Sequence, residues 1–157
     1  MRYRLRINDT EYPVTSSQEL QQLLDSVKER SHAYMELTQI HEPDRKPKFA
    51  TRLLARVMKW DLNILNQEDE ILAWVNGPLA VLLYSENREG AFHSYNPDHT
   101  LSLNNKVEFY AIDGSLSEHP GEWVIPTEQA IEALLRFYTE GEKPTNTQWR
   151  KLESDLT

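Results

Sequence analysis

The sequence predicts an α+β fold: a single domain over residues 1–157, with a mainly antiparallel sheet of about five to six strands and two or three packed helices. Three observations predict it. Apolar residues alternate with arginines along 2–7, apolar residues recur at three and four in 20–27 and again in 130–138, and an uninterrupted apolar run fills 79–84. A chain of 157 residues can bury a core without disulfides, and cysteine is absent, which suits a reducing compartment.

Taken in order, Tyr3, Leu5 and Ile7 fall on one face of a first strand and Arg2, Arg4 and Arg6 on the other. Pro13 stops or turns the chain. A serine cap and an early Glu19 precede Leu20, Leu23, Leu24 and Val27, which predicts a helix over 17–30. Residues 33–41 read as a second strand, and 42–48, with Pro43 and Pro47, as a loop. Ala50, Leu53, Leu54, Val57 and Met58 fit a helical stripe to about Trp60, although 57–65 fits an extended segment equally well.

Two apolar runs, 71–75 and 79–85, flank Asn76-Gly77-Pro78, a turn suited to a hairpin. The continuous apolarity of 79–84 predicts a strand covered on both faces at the centre of the sheet. Phe92 and Tyr95 mark a further strand, 107–112 another, and 123–125 a short one, with 115–122 read as a polar connection. Pro126 and Thr127 open a helix over 127–140, with Thr127 expected to accept from the free amides. Gly141 is placed to cap it and Pro144 prevents resumption.

Function classes narrow by what the residues cannot do. None of the five histidines pairs with another at helical metal spacing, and His93 and His99 around Asp98 are a weak candidate, so no metal is expected. There is no nucleophile elbow, no phosphate loop and no dinucleotide fingerprint, and five glycines could hardly supply one; no cofactor is expected. Glu68-Asp69-Glu70 and the Glu86/Glu89 pair read as solvated acidic turns, although a small hydrolase with a carboxylate pair stays as an alternative, and an adaptor protein as another. The arginine strand lacks interleaved aromatics for direct nucleic-acid contact. No run is long enough for a bilayer, and the start lacks the apolar stretch of a signal peptide, so a cytoplasmic protein is expected.

The net charge of −8 is unevenly placed: residues 1–60 hold 11 Lys/Arg against 8 Asp/Glu (+3), and residues 61–157 hold 6 against 17 (−11). Such a surface repels nucleic acid and anionic membranes and attracts basic proteins.

One ordered series stands out: Val107-Glu108-Phe109-Tyr110, then Val124-Ile125-Pro126, then a helix carrying Ala130 and ending on aromatics that include Phe137, then Gly141, Pro144 and Trp149 in the spacing G-x-x-P-x-x-x-x-W. Over residues 70–152 this resembles immunity protein family one, bacterial polymorphic-toxin immunity proteins often encoded beside nucleic-acid deaminase toxins. The resemblance implies a non-enzymatic antitoxin that binds its toxin and blocks the active site or substrate groove, the toxin being a cytosine deaminase first and another nuclease-type toxin second. Phe109, Tyr110, Pro126, Ala130, Phe137, Gly141, Pro144 and Trp149 are then structural. Acidic and aromatic loop residues, Glu86, Glu89, Tyr95, Asp98, Asp113 and Glu118, are the expected contacts for a basic, nucleic-acid-acting partner.

Overall fold

Cross-strand pairing organises the molecule. A computed structural model describes residues 2–28, 30–40, 69–86, 90–98, 106–110 and 114–152. Among the described residues ten strands run in chain order as β1 (Arg2–Ile7), β2 (Thr10–Val14), β3 (His32–Ile40), β4 (Glu70–Asn76), β5 (Leu79–Glu86), β6 (Gly90–Tyr95), β7 (Lys106–Tyr110), β8 (Leu116–Pro120), β9 (Ile125–Pro126) and β10 (Gln148–Lys151). Two helices are described, α1 (Ser17–Lys28) and α2 (Thr127–Glu140). Eight strands form one antiparallel sheet in the order β10-β6-β5-β4-β3-β1-β2, with β9 also paired to β5; β7 and β8 form a separate hairpin. The α+β class is as predicted. The helix expected near 50–60 and the loop at 42–48 lie outside the described residues.

The strands expected at 2–7, 33–41, 71–75, 79–85 and around Phe92 and Tyr95 are present, and the sheet has more. The strand expected at 123–125 is instead a 3-10 turn over Gly121–Trp123 followed by the two-residue β9, and the one expected from 107 is described to Tyr110 and lies outside the main sheet. A two-residue turn at Asn8-Asp9 joins β1 to β2, with Asn8 at φ 52, a left-handed conformation that asparagine tolerates. The Asn8 amide donates to the Tyr34 carbonyl at 2.8 Å, and its side-chain oxygen accepts from the Tyr34 amide at 3.0 Å, so the turn is locked to β3. Pro13 therefore sits within a strand, at the sheet edge, where a missing N–H costs no ladder bond. Gly77 and Pro78 form the loop between β4 and β5, with Asn76 already paired to Leu79. Gly77 has φ 59 and takes the left-handed position that proline cannot.

Period two divides the sheet into two faces. Tyr3, Leu5, Ile7, Met35, Leu37, Ile71, Ala73, Leu82 and Tyr84 meet Leu20, Leu24 and Val27 of α1 and Ala130, Ile131, Leu134 and Phe137 of α2 in the main core. Each fully buried leucine or phenylalanine there contributes about 1.5–3 kcal/mol. α1 starts as expected: Ser16 Oγ accepts from the Glu19 amide at 3.1 Å, and the Glu19 carboxylate accepts from the Thr15 amide and hydroxyl. Those bonds hold the Glu19 carboxyl below its usual range, the Thr15 hydroxyl contributing most.

The start of α2 corrects the sequence reading. Thr127 is the first helical residue and makes no cap bond. Its hydroxyl donates to the Gly77 carbonyl at 2.8 Å and its amide to the Pro78 carbonyl at 2.9 Å. The reason is that β9 pairs with the start of β5, which brings the helix N-terminus onto the β4–β5 turn. Gly141 does end the helix, at φ 71, its amide returning to the Phe137 carbonyl at 2.8 Å.

Candidate functional site

On the face away from the helices, the β7–β8 hairpin lies across β3 and β4. Its inner side chains are Val107, Phe109, Ser117 and His119; its outer ones are Lys106, Glu108, Tyr110, Leu116, Glu118 and Pro120, as the register and burial require. Phe109 is fully buried in a second small core with Val81 and Val124, packed by Trp74, Leu79, Val107 and Trp123. The Asn76 side-chain amide donates to the Glu108 carbonyl at 3.0 Å and fastens the hairpin to β4. β5 is thus covered on both faces, by α2 on one and the second core on the other, as its unbroken apolarity predicts; the middle place in the seven-strand order goes to β4.

A chain of rings joins the hairpin to the sheet. His119 packs against Trp74, Phe109 and Trp123 at centroid distances of 5.2, 5.6 and 5.6 Å, and Trp123 stacks on His93 at 4.0 Å and 17°. Burial pushes the His119 imidazole below its ordinary pKa, so its neutral form is favoured; its Nε2 lies 2.9 Å from the Ser117 hydroxyl. Burial also raises the Tyr34 phenol to about 12, with Glu36 and Glu70 adding to the effect. Both shifts keep these groups uncharged within the packing.

Where β6 gives way to β9 along β5, Ser94 fills the gap. Its hydroxyl accepts from the Leu82 amide at 3.0 Å and donates to the Trp123 carbonyl at 2.6 Å. Asn96 continues the clamp, donating from its amide to the Glu122 carbonyl and from its side chain to the Val124 carbonyl. Beyond it opens a cleft of about 500 Å³ lined by Tyr95, Asp98, Gln129, Asn146 and Gln148 among others. Gln129 and Asn146 exchange side-chain to main-chain bonds of 3.0 and 3.1 Å across it. The lining is mostly polar, with four side-chain amides, two threonines, Tyr95 and Asp98, and is suited to hydrogen bonding.

The structure disperses the expected contact residues. Tyr95 and Asp98 share the cleft, and Arg150 lies over one face of the Tyr95 ring at 3.6 Å from the centroid. Glu86 pairs with Gly90 at the opposite end of β6, about 17 Å away at strand rise. Glu118 is exposed on the hairpin's outer face, 3.8 Å from the Lys106 ammonium. Glu89 and Asp113 lie outside the described residues. Among the described residues no group of His, Asp or Glu is placed to hold a metal, and no helix is long and apolar enough to cross a membrane.

The motif residues fall at junctions of the fold. Phe137 is buried edge-on to Tyr3 and Tyr84, Pro126 pairs with Leu79, and Trp149 on β10 packs on Tyr84 while its indole N–H donates to the Pro144 carbonyl at 2.7 Å. Tyr110 is different: 44% of it is exposed. The family model for immunity protein Imm1 matches residues 8–151.

The chain belongs to the Imm1 immunity protein family.

The match extends some sixty residues further toward the N-terminus than the stretch 70–152 over which the resemblance runs. The sheet explains why, since β1 to β3 pair onto β4 and complete the same core. No curated protein matches the chain. An immunity protein has a cognate toxin, so the surface that meets it is the functional site to be found. Sequence reasoning placed Glu118 on a polar connection and Tyr110 among the structural residues; the strand β8 was missed because 115–122 carries no apolar alternation to mark one.

Proposed function

We propose that this immunity protein neutralises a toxin that acts on nucleic acid, with a cytosine deaminase as the first class, by binding the toxin domain and blocking its active site or substrate groove without turnover of its own. The observation that carries the reading is the charge asymmetry: residues 61–157 hold 6 Lys/Arg against 17 Asp/Glu. A protein that binds nucleic acid needs a basic groove, and an acidic partner competes there with phosphates. Long-range attraction of this kind raises encounter rates by about 10- to 1000-fold at low salt. Within this reading Tyr95 and Asp98 contribute around the cleft, Glu118 contributes on the hairpin, and Glu86 lies at the far end of β6.

The test is growth rescue. Cells expressing the toxin domain encoded beside this gene should survive when the chain is co-expressed, and the purified chain should suppress deamination of single-stranded DNA or RNA by that domain in stoichiometric fashion. Death despite soluble co-expression would remove the immunity reading. Rescue from a toxin that deaminates neither substrate would retain immunity and replace the deaminase.

A further inference from the structure

Among the described residues the exposed large apolar side chains are Tyr110, 44% exposed, and Leu116, 51% exposed. They are not scattered. Tyr110 and Leu116 are direct cross-strand partners in the β7–β8 hairpin, and the next outward-facing pair is Glu108 opposite Glu118. Two side chains of this size side by side keep about half of their surface in water, an apolar patch that the fold itself does not cover, and two carboxylates directly opposed weaken a hairpin. Lys106 stands 3.8 Å from Glu118, across an exposed contact that water screens, and Glu108 has no ion-pair partner among the described residues.

The inner side of the same hairpin is fastened by Phe109, His119 and the Asn76 bond, so the outer side is held on a rigid support. Tyr110 is further positioned by the His32 ring, edge-on at 4.5 Å. A pre-positioned aromatic beside an aliphatic anchor, bordered by two carboxylates of which only Glu118 has a solvent-screened lysine contact, has the composition of an apolar anchor with a charged rim.

We infer that the outer face of the β7–β8 hairpin, with Tyr110 and Leu116 as anchors and Glu108 and Glu118 as a paired acceptor, docks the toxin at a place where it presents an arginine or lysine beside an apolar seat. The inference rests on the immunity reading and names the surface that carries it out. A guanidinium between the two carboxylates relieves their opposition, which gives the bound state a gain that the free chain lacks.

The full chain is titrated with an inactive variant of the toxin domain against which it protects cells. Tyr110→Ala with Leu116→Ala should raise Kd by about 10- to 100-fold, chiefly through faster dissociation. Glu108→Gln with Glu118→Gln should slow association at low salt and flatten its salt dependence. The same double variant should melt no lower than the wild type, since it removes a like-charge opposition; a purely structural role would lower it. Leu116→Lys alone, at a half-exposed position away from the His32 contact, serves if the first double variant folds poorly. Natively folded variants that bind with wild-type affinity and rate overturn the inference while leaving immunity intact. A wild-type dimer in sedimentation that Leu116→Lys dissolves, with toxin affinity unchanged, also overturns it by giving the face to a second copy. A wild-type chain that binds no toxin sinks the immunity reading itself.

Discussion

Trp149 donates its indole N–H to the carbonyl of Pro144 across 2.7 Å, closing the loop 144–149 that follows α2. The ring lies on Tyr84 of β5, so one residue ties an edge strand, the loop after the helix and the core together. The spacing of Gly141, Pro144 and Trp149 then has a mechanical meaning. The glycine turns the chain out of the helix, the buried proline offers its carbonyl, and the tryptophan meets it.

Trp149→Phe keeps much of the ring contact and removes the donor. It should destabilise the protein by about 1–3 kcal/mol, the cost of leaving a buried carbonyl unpaired. Urea unfolding should show a lower midpoint with an unchanged slope. An unchanged midpoint would mean that water takes the place of the indole.

Thr127 and Ser16 separate two roles that a sequence confuses. Thr127→Val removes the bond to the Gly77 carbonyl at nearly constant shape and should cost about 1–2 kcal/mol by loosening the β4–β5 turn from α2. Ser16→Ala should cost about 1 kcal/mol by uncapping α1. Amide exchange distinguishes them: the first should speed exchange at Thr127 itself, the second at Glu19 in the first turn of α1. Equal protection in wild type and Thr127→Val would return Thr127 to an ordinary helix position.

His119 predicts an acid sensitivity of the hairpin. Burial lowers its folded-state pKa, so on acidification the unfolded chain takes up the proton first. The stability that this group contributes is complete above the unfolded value, about 6.5, and is lost as pH falls from there through the folded value. Comparing unfolding midpoints at pH 7.5 and 5.5, the drop should be smaller in His119→Gln than in the wild type. Equal drops would place the acid sensitivity elsewhere. Fluorescence of the neighbouring Trp74 and Trp123 reports whether the hairpin loosens first.

Much of the fold was legible because it rests on periodicity. The alternation of 2–7, the stripes of α1 and α2 and the unbroken run of β5 each record which face is buried. β2, β8 and β10 were not legible as strands. Each is short, exposed along much of its length or interrupted by proline, and is held by the ladder of a partner distant in sequence or by a turn such as Asn8-Asp9. The candidate contacts followed the same rule. Counting carboxylates located an acidic half of the chain, yet only pairing showed that Glu86, Asp98 and Glu118 sit on three separate parts of the surface.

By itself the sequence determined the fold class, the positions of the two helices, the Gly141 cap and the motif spacing that announces the family, because each depends on neighbours within a turn or two of chain. Only the tertiary structure decided that Thr127 serves a hairpin turn, that β5 is covered by a hairpin as well as a helix, and that Tyr110 and Leu116 stand together in solvent beside Glu108 and Glu118. Those relationships join residues brought together by strand register, which hydrogen-bond geometry sets across the sheet and local pattern does not record.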